Sequence, residues 1–521
     1  MELEGNKIIR ILKNNLVVIL VLVGISARIF LFGNVPPGLN QDEASMGYDA
    51  FSLLNYGMDR NGFHYPVYLV AWGSGQSVLY AYFTMPFIYL LGLNVVSIRL
   101  VNLIFGIVSL IIFYLLVQKV TNRPVALLSL FLLAISPWHV MMSRWALDAN
   151  LFPSIFLIAV FLLASSFEDK RILPASLFFF ALSFYAYATS FFIVPVFLLI
   201  VFSYLMYHKK IDIKTLPTGL FIFTITALPI FLFVVINHFK ISSINAVLFS
   251  IPRLTGTPRF FSLSSLFSSD FLSTSIDNFI NVIKIIVTQN DGLIWNSIPE
   301  YGFIYLFSLP FLIIGFISLV RKNIALKKFE KSFLFLAWLM VSFLLGSLTN
   351  PNINRINTIF IPLIFITAMG INYITRNIKS LYLPIIILYL ISFSMFSFNY
   401  FTVYPKETEQ IFFESFGEAI NFASEKQDSR IYVTEQVNMP YVYVLFYQKI
   451  NPEIFNSSVK YYNPGQNFQL VKSFDRYEFG IKDINKLENA VYVIHNSEEG
   501  KFDQNDFVFK KFKYYSVVTR K

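Results

Sequence analysis

Asp42 and Glu43 stand side by side in residues 33–76, a polar, Gly- and aromatic-rich stretch that also carries Asp49, Asp59, Arg60 and His64. Long ordered loops with chemistry of their own are usually functional. A carboxylate in such a loop can take a proton from a hydroxyl, a contribution of about 10²–10⁴-fold in rate. Residues adjacent in a helix point different ways. One of the pair would therefore act as base and the other as a structural group or a metal ligand. The structural alternative is that Asp42 caps a helix opening at Glu43 and Ala44, since Asp is a favoured N-cap.

Three more residues could share that chemistry. Asp148 lies in MMSRWALDANLFP, where it could equally be solvated or mark a helix start, with Asn150 and Pro153 beside it. Arg144 precedes it by four positions, so an Arg–Asp pair on one helical face is the structural alternative. Arg355, in LTNPNINRINTIFIPL, could snorkel to headgroups or grip a phosphate with its planar fork. His64, Arg60, Arg99 and Arg28 are weaker phosphate-binding candidates, and His64 could instead ligate a metal. With five His and no paired His spacing, a dedicated metal site is not indicated, although the acidic pair leaves a divalent cation open. Glycine-rich phosphate loops and nucleophile-elbow motifs are absent, which argues against an ATP-driven engine.

The elements that must position these residues are membrane spans. The chain is 56% hydrophobic and only 14% charged over 521 residues, against roughly 25% charged in soluble domains. It carries no Cys, which excludes disulfides, thiolate metal sites and Cys nucleophiles. The net charge of +10 is what Lys- and Arg-rich cytoplasmic loops produce, so nucleic acid is not implied. Eleven apolar stretches are expected to cross the bilayer: 16–33, 96–118, 124–141, 151–167, 172–188, 191–207, 216–238, 301–320, 332–348, 356–374 and 381–401. The first, preceded by Lys7, Arg10 and Lys13, reads as a retained anchor. A twelfth stretch, 77–93, contains Pro86 and reads as interfacial. With the N-terminus inside, the inner segments hold 17 Lys and Arg and the short outer ones 3. This arrangement obeys the positive-inside rule and places Asp42, Glu43, Arg144, Asp148 and Arg355 on the outer face.

Loop 34–95 is then the first external loop, and 239–300, with Pro252-Arg253 and Pro258-Arg259, is an external lid or set of partly amphipathic helices. From residue 405 onward the composition changes, with 15 Lys and Arg and 16 Asp and Glu in 117 residues. Helical spacing over 411–426 and strand patterns at 430–434, 490–494 and 507–518 predict a small external α/β domain. The transmembrane part is thus 1–404 and the soluble domain 405–521.

Four segments, in order, resemble the polyprenyl-phosphate-sugar-dependent glycosyltransferases of the GT-C class. The likeness is greatest to glycosyltransferase family 39, with its protein O-mannosyltransferases and aminoarabinose transferases. NQDEASMGYDA is similar to the family's Asp-Glu motif, PFIYLLGLNVVSIRLVNLIFG to the run before the second span, SRWALDANLFP to the segment at the fourth span, and NINRINTIFIPL to the late Arg motif. The resemblance covers roughly residues 1–375. It implies a mainly α, polytopic helical bundle with Asp42 as catalytic base, Asp148 as a second acidic site residue and Arg355 at the donor phosphate. Two departures stand out. Ser45 occupies a position where some members carry Arg, and Phe63-His64-Tyr65-Pro66 replaces the Glu-Lys-Pro-Pro run of aminoarabinose transferases. The phosphate-binding Lys of that branch therefore has no counterpart, and lipid A modification is disfavoured.

The expectation is an inverting transfer from a polyprenyl-phosphate sugar to an extracytoplasmic acceptor, on the outer face of a bacterial plasma membrane. Asp42, Glu43 and Asp148 would serve the chemistry, and Arg355, Arg144 and His64 the donor phosphate. The rivals are a flippase or transporter of lipid-linked sugars, which would favour ionisable residues deep in the spans and a two-fold hydropathy repeat, and a non-enzymatic envelope scaffold.

Overall fold

A computed structural model describes residues 2–211, 214–258, 270–325, 328–426, 429–481, 484 and 490–521. Part of the 239–300 loop, including Arg259, lies outside the described residues. Fifteen α-helices lie among the described residues up to Thr402: α1 (Glu2–Ile29), α2 (Gln41–Tyr56), α3 (Leu79–Leu91), α4 (Val95–Val120), α5 (Arg123–Ile135), α6 (Pro137–Met142), α7 (Asp148–Ser166), α8 (Leu173–Leu182), α9 (Ser190–Tyr207), α10 (Leu216–Phe239), α11 (Phe271–Thr288), α12 (Leu309–Ala325), α13 (Phe333–Leu348), α14 (Phe360–Asn377) and α15 (Tyr382–Thr402). Among the described residues eight helices are long and apolar enough to cross a membrane, and four shorter apolar ones accompany them.

Helix occurs in every stretch expected to span, with differences that have local causes. The stretch 124–141 is cut at Ser136, which Pro137 holds in an extended conformation (φ −63°, ψ 122°); a residue before proline avoids the helical region. Ser136 then caps α6 through its side chain. The stretch 172–188 yields only the short α8 followed by a 3₁₀ turn. Helix α11 falls inside the expected external loop. It is amphipathic, burying Asn278, Val282, Ile285 and Ile286, and Asn278 Nδ2 donates to the Ser347 carbonyl of α13 at 3.2 Å. Its interspersed Ser, Asp and Lys residues hide the apolar face from a search for long hydrophobic runs.

The chain divides into two compact units, 1–32 with 102–228 and 263–401, and 33–101 with 229–262 and 402–521. In the first, α12 and α14 make the tightest crossing. A Cβ on Gly315 would lie 1.9 Å from the Ile366 carbonyl oxygen, and one on Gly370 would lie 1.9 Å from that of Phe311. Small residues let membrane helices approach to backbone contact.

The second unit is organised by a seven-stranded sheet of order β4-β5-β6-β3-β7-β9-β8. Its strands are β3 (Arg430–Val433), β4 (Lys460–Tyr461), β5 (Val471–Phe474), β6 (Tyr477–Phe479), β7 (Ala490–His495), β8 (Phe507–Lys511) and β9 (Tyr515–Arg520), while β1 (Ile244–Asn245) and β2 (Ser250–Ile251) form a separate hairpin. Strand β3 runs parallel to both of its neighbours, and accordingly Ile431, Tyr432 and Val433 are buried. The expected helix over 411–426 is confined to Phe416–Ser424, because Phe413 and Ser415 take positive φ just before it.

The tail is not a body apart from the first loop. Leu39 donates its N–H to the Phe412 carbonyl at 2.7 Å and Gln469 to that of Trp72 at 2.9 Å. Tyr48 donates its hydroxyl to the Ile450 carbonyl at 2.6 Å, and Tyr443 its own to that of Leu39 at 3.1 Å. The boundary expected at 404/405 separates segments that pack as one unit.

Candidate active site

Helix α2 carries the central acidic pair, and Asn40 rather than Asp42 caps it. The Asn40 side chain accepts from the Asp42 N–H at 2.9 Å, and Glu43 Oε2 accepts the Asn40 N–H at 3.0 Å. This reciprocal arrangement is a capping box. Asp42 thus sits in the first turn, half-buried, where the helix field favours negative charge.

Glu43, expected among the catalytic carboxylates, is fully buried and committed elsewhere. Arg99 of α4 donates from Nε to Oε1 at 2.7 Å and from Nη2 to Oε2 at 2.8 Å. The same guanidinium reaches the carbonyls of Pro36 at 2.8 Å, Gly38 at 3.0 Å and Gly33 at 3.3 Å. Glu43 therefore ties the start of α2, the loop entering it and α4 into one knot. The knot fixes the first turn of α2, on which Asp42 stands. Gly38 is needed in this loop, since its φ is +67° and a Cβ would lie 2.2 Å from the Phe412 carbonyl oxygen.

A second buried knot lies further along the same loop. Arg60 Nη2 is 3.4 Å from Asp49 Oδ2, and the Arg60 N–H donates to Asp49 Oδ1 at 3.1 Å. The guanidinium also donates to Ser45 Oγ and lies 5.0 Å from the Trp72 ring centroid. Asp59 Oδ1 accepts the N–H groups of Asn61 at 2.9 Å and Phe63 at 3.0 Å. Burial first and the neighbouring Asp49 second push the Asp59 carboxyl up to about 7. Burial raises Asp49 as well, against the opposing charge of Arg60. His64 is exposed, and its backbone carbonyl, not its ring, is what Ser250 Oγ bonds at 2.7 Å. The expected phosphate-binding role for His64 has no support in this geometry.

In the other unit, Arg144, expected at the donor phosphate, is fully buried. It donates to the carbonyls of Arg28 at 2.7 Å, Leu31 at 3.1 Å and Ala27 at 3.3 Å. Its guanidinium lies 5.1 Å from the Phe401 ring and 5.6 Å from that of Tyr400. A cation satisfying the last carbonyls of a helix is favoured by the helix dipole, and Arg144 does so for α1. These contacts make it a cap on the end of α1. Arg28 does the same for α5, reaching the Ala134 and Leu133 carbonyls at 3.0 and 3.1 Å, and contacts His139 Nδ1 at 2.5 Å.

Asp148 opens α7 and is buried, with Oδ1 accepting the Ala149 N–H at 2.9 Å. Asn102 shapes the turn before it by donating to the Trp145 and Leu147 carbonyls at 2.8 and 3.0 Å. Arg355 is half-buried, with Nη1 donating to the Asn350 carbonyl at 2.6 Å. Asn357 Nδ2 donates to the Ala149 carbonyl at 2.5 Å, so the Arg355 and Asp148 segments meet. Asp291 steadies the same region, accepting the Ile353 N–H at 2.8 Å. Asn40, Asn102, Asp291 and Asn357 were not singled out by sequence. Of these only Asn40 had a readable signal, an Asn three residues before a Glu. Among the described residues no group of three or more His, Asp or Glu side chains is arranged to hold a metal.

Residues 76–237 match the family model described as dolichyl-phosphate-mannose-protein mannosyltransferase. No curated protein sequence matches the chain. Among solved structures the chain is similar to ArnT from Cupriavidus metallidurans bound to undecaprenyl phosphate, with a TM-score of 0.57 at 11% identity, covering 98% of this chain and 97% of that one. The apo form of the same protein gives 0.58 at 12%, covering 97% and 98%. The Archaeoglobus fulgidus oligosaccharyltransferase in complex with Zn and sulfate gives 0.53 at 12%, covering 82% of this chain and 61% of that one. The fold shared with these proteins is the GT-C fold, a multi-pass membrane helical domain followed by a C-terminal sheet domain.

Proposed function

We propose that this GT-C chain is a membrane glycosyltransferase that moves a sugar from a polyprenyl-phosphate donor to an extracytoplasmic acceptor. The observation that carries the reading is the first turn of α2. There Asp42 is half-buried, next to a Glu43 that is locked to Arg99 and Asn40. One carboxylate is fixed so that its neighbour can be aimed. The membrane fold and the match over residues 76–237 to a family of lipid-phosphate-sugar enzymes support the substrate class.

In this mechanism Asp42 accepts the proton of the acceptor hydroxyl or amide as its heteroatom attacks the anomeric carbon. The bond from that carbon to the lipid phosphate breaks, and the configuration inverts. A phosphate leaving group departs as an anion and needs a cation more than an acid, unlike the sugar oxygen released by a glycosidase. Arg355 is the residue we assign to that anion. Asp148, on the segment that Asn357 joins to the Arg355 loop, would orient the acceptor or donor sugar. The positive-inside distribution puts the reaction on the outer face, and we place the enzyme in a bacterial plasma membrane.

The direct test is incubation of the purified chain with a panel of radiolabelled polyprenyl-phosphate sugars and envelope acceptors. Donor-dependent label transfer, or slow release of sugar to water with lipid phosphate as co-product, is the expected result. No turnover of any donor, together with donor translocation in vesicles, would replace the enzyme by a flippase.

A further inference from the structure

We infer that the β1–β2 hairpin is a membrane-inserting finger that seats the first external loop on the lipid surface. The hairpin follows directly from α10, a helix whose apolar window is only 22% buried by protein. It pairs Ile244 with Ile251 and Asn245 with Ser250, and the Ala246 N–H donates to the Phe249 carbonyl at 2.9 Å. The turn it closes reads Ala-Val-Leu-Phe, a composition foreign to turns, which favour Gly, Asn, Asp and Pro. Val247 is 101% exposed and Leu248 80%. Phe239, Ile241 and Ile244 are also exposed along the approach. Apolar side chains projecting together from a surface mark an interaction site.

Three features single out lipid as the occupant. The chain enters the finger from the open last turns of α10, where Phe231 and Phe239 are exposed, so apolar surface runs on along the chain into the hairpin. Lys240 and Arg253 are exposed at its base, as suits anionic headgroups above an inserted tip. Strands rise about 3.3 Å per residue, so the tip stands on the order of 10 Å from the base, a depth comparable with that of interfacial helices.

The base is fixed to the rest of its unit, so insertion has a consequence. Asn237 near the end of α10 donates to the Pro252 carbonyl at 3.1 Å and accepts the Leu254 N–H at 2.8 Å. Ser250 accepts the Val67 N–H at 2.9 Å and donates from Oγ to the His64 carbonyl at 2.7 Å. The finger thereby sets the height of the loop that carries Asp42. The inference rests on the membrane fold and not on the transfer reaction.

The absence of native Cys makes the test clean. The full-length chain carrying Val247→Cys is labelled with an environment-sensitive fluorophore and reconstituted into equimolar phosphatidylcholine–phosphatidylglycerol vesicles. Asn505→Cys, on an exposed tail turn, is the aqueous control. The probe at 247 should shift to the blue, be quenched by a spin label near the headgroup end of the acyl chains and be protected from iodide, while the probe at 505 should show the reverse. With the probe moved to Ala246→Cys, adding Val247→Asp and Leu248→Asp should reduce lipid quenching by at least about twofold without changing the melting temperature. Iodide quenching at 247 equal to that at 505 would overturn the inference. Protection from both quenchers would also overturn it, since a protein would then cover the tip.

Discussion

Arg99 and Glu43, separated by 56 positions in sequence, meet through two hydrogen bonds of 2.7 and 2.8 Å with both side chains out of solvent. A buried pair of this kind is weak evidence for stability in itself, but removing one partner strands a charge and costs about 3–5 kcal/mol. Arg99→Ala and Glu43→Ala should therefore lower the melting temperature of the detergent-solubilised protein markedly. Glu43→Gln keeps the shape and one acceptor, so it should melt nearer to wild type yet lose turnover as Asp42 is less firmly aimed. Full activity in a Glu43→Gln protein of lowered stability would detach the knot from catalysis.

Asp42→Asn separates base from cap. Since Asn40 is the cap, the exchange should leave the melting temperature unchanged. Turnover should fall by at least ~10², while donor affinity is retained or rises as a negative charge is removed. Near-wild-type transfer by the folded variant would pass the role of base to Asp148.

The two arginines once expected to act alike should now behave differently. Arg355→Ala should weaken donor binding by roughly 10-fold or more, the loss of a charge-assisted contact worth ~1.5–3 kcal/mol, with little effect on melting. Arg144→Ala should instead destabilise the protein, because the α1 carbonyls it caps are left unpaired in a buried place. Titration of a labelled lipid phosphate against both variants, alongside thermal melts, distinguishes them.

The Asp59 carboxyl gives a pH signature. Its value is raised from 3.8 to about 7 by burial first and Asp49 second. A raised folded-state value means that stability is fully present below about 4 and is lost as pH rises through about 7. Asp59→Asn stays neutral throughout and keeps an acceptor for the Asn61 and Phe63 N–H groups. Its melting temperature should match wild type at about pH 4, begin to exceed it as pH rises above that, and exceed it most at pH 8. Equal pH profiles for the two proteins would show that Asp59 is not the titrating group.

Gly315→Ala and Gly370→Ala each bring a methyl to 1.9 Å from a carbonyl oxygen on the facing helix. Backbone cannot yield as a side-chain tip can, so each should cost about 1–3 kcal/mol and together no more than somewhat beyond one alone, since a single separation of α12 from α14 relieves both. Thermal melts of the single and double variants test this.

The spans were legible because long apolar runs admit few other readings, and the strands β3, β7, β8 and β9 because Val, Ile, Phe and Tyr cluster there. Strands β4, β5 and β6, at two to four residues, are too short to show a period. The acidic pair was legible as a pair, but not which member was committed, because the partner of Glu43 comes from another helix. The carbonyl partners of Arg144 were hidden for the same reason. From sequence, a lone Arg beside a span looks the same whether it faces a phosphate or the carbonyls of α1.

The partners of the first loop leave the ribosome long after the loop itself. Tyr48 waits for Ile450, 402 positions later, and Leu39 and Trp72 wait for Phe412 and Gln469. At about 5–20 residues per second, the loop bearing Asp42 spends on the order of 20–80 s beyond its own span before those contacts can form. A message cut short after residue 401 would deliver an inserted bundle whose acidic loop has no surface to close upon. The ground on which Asp42 stands is therefore assembled only after the segments holding Phe412, Ile450 and Gln469 have been made.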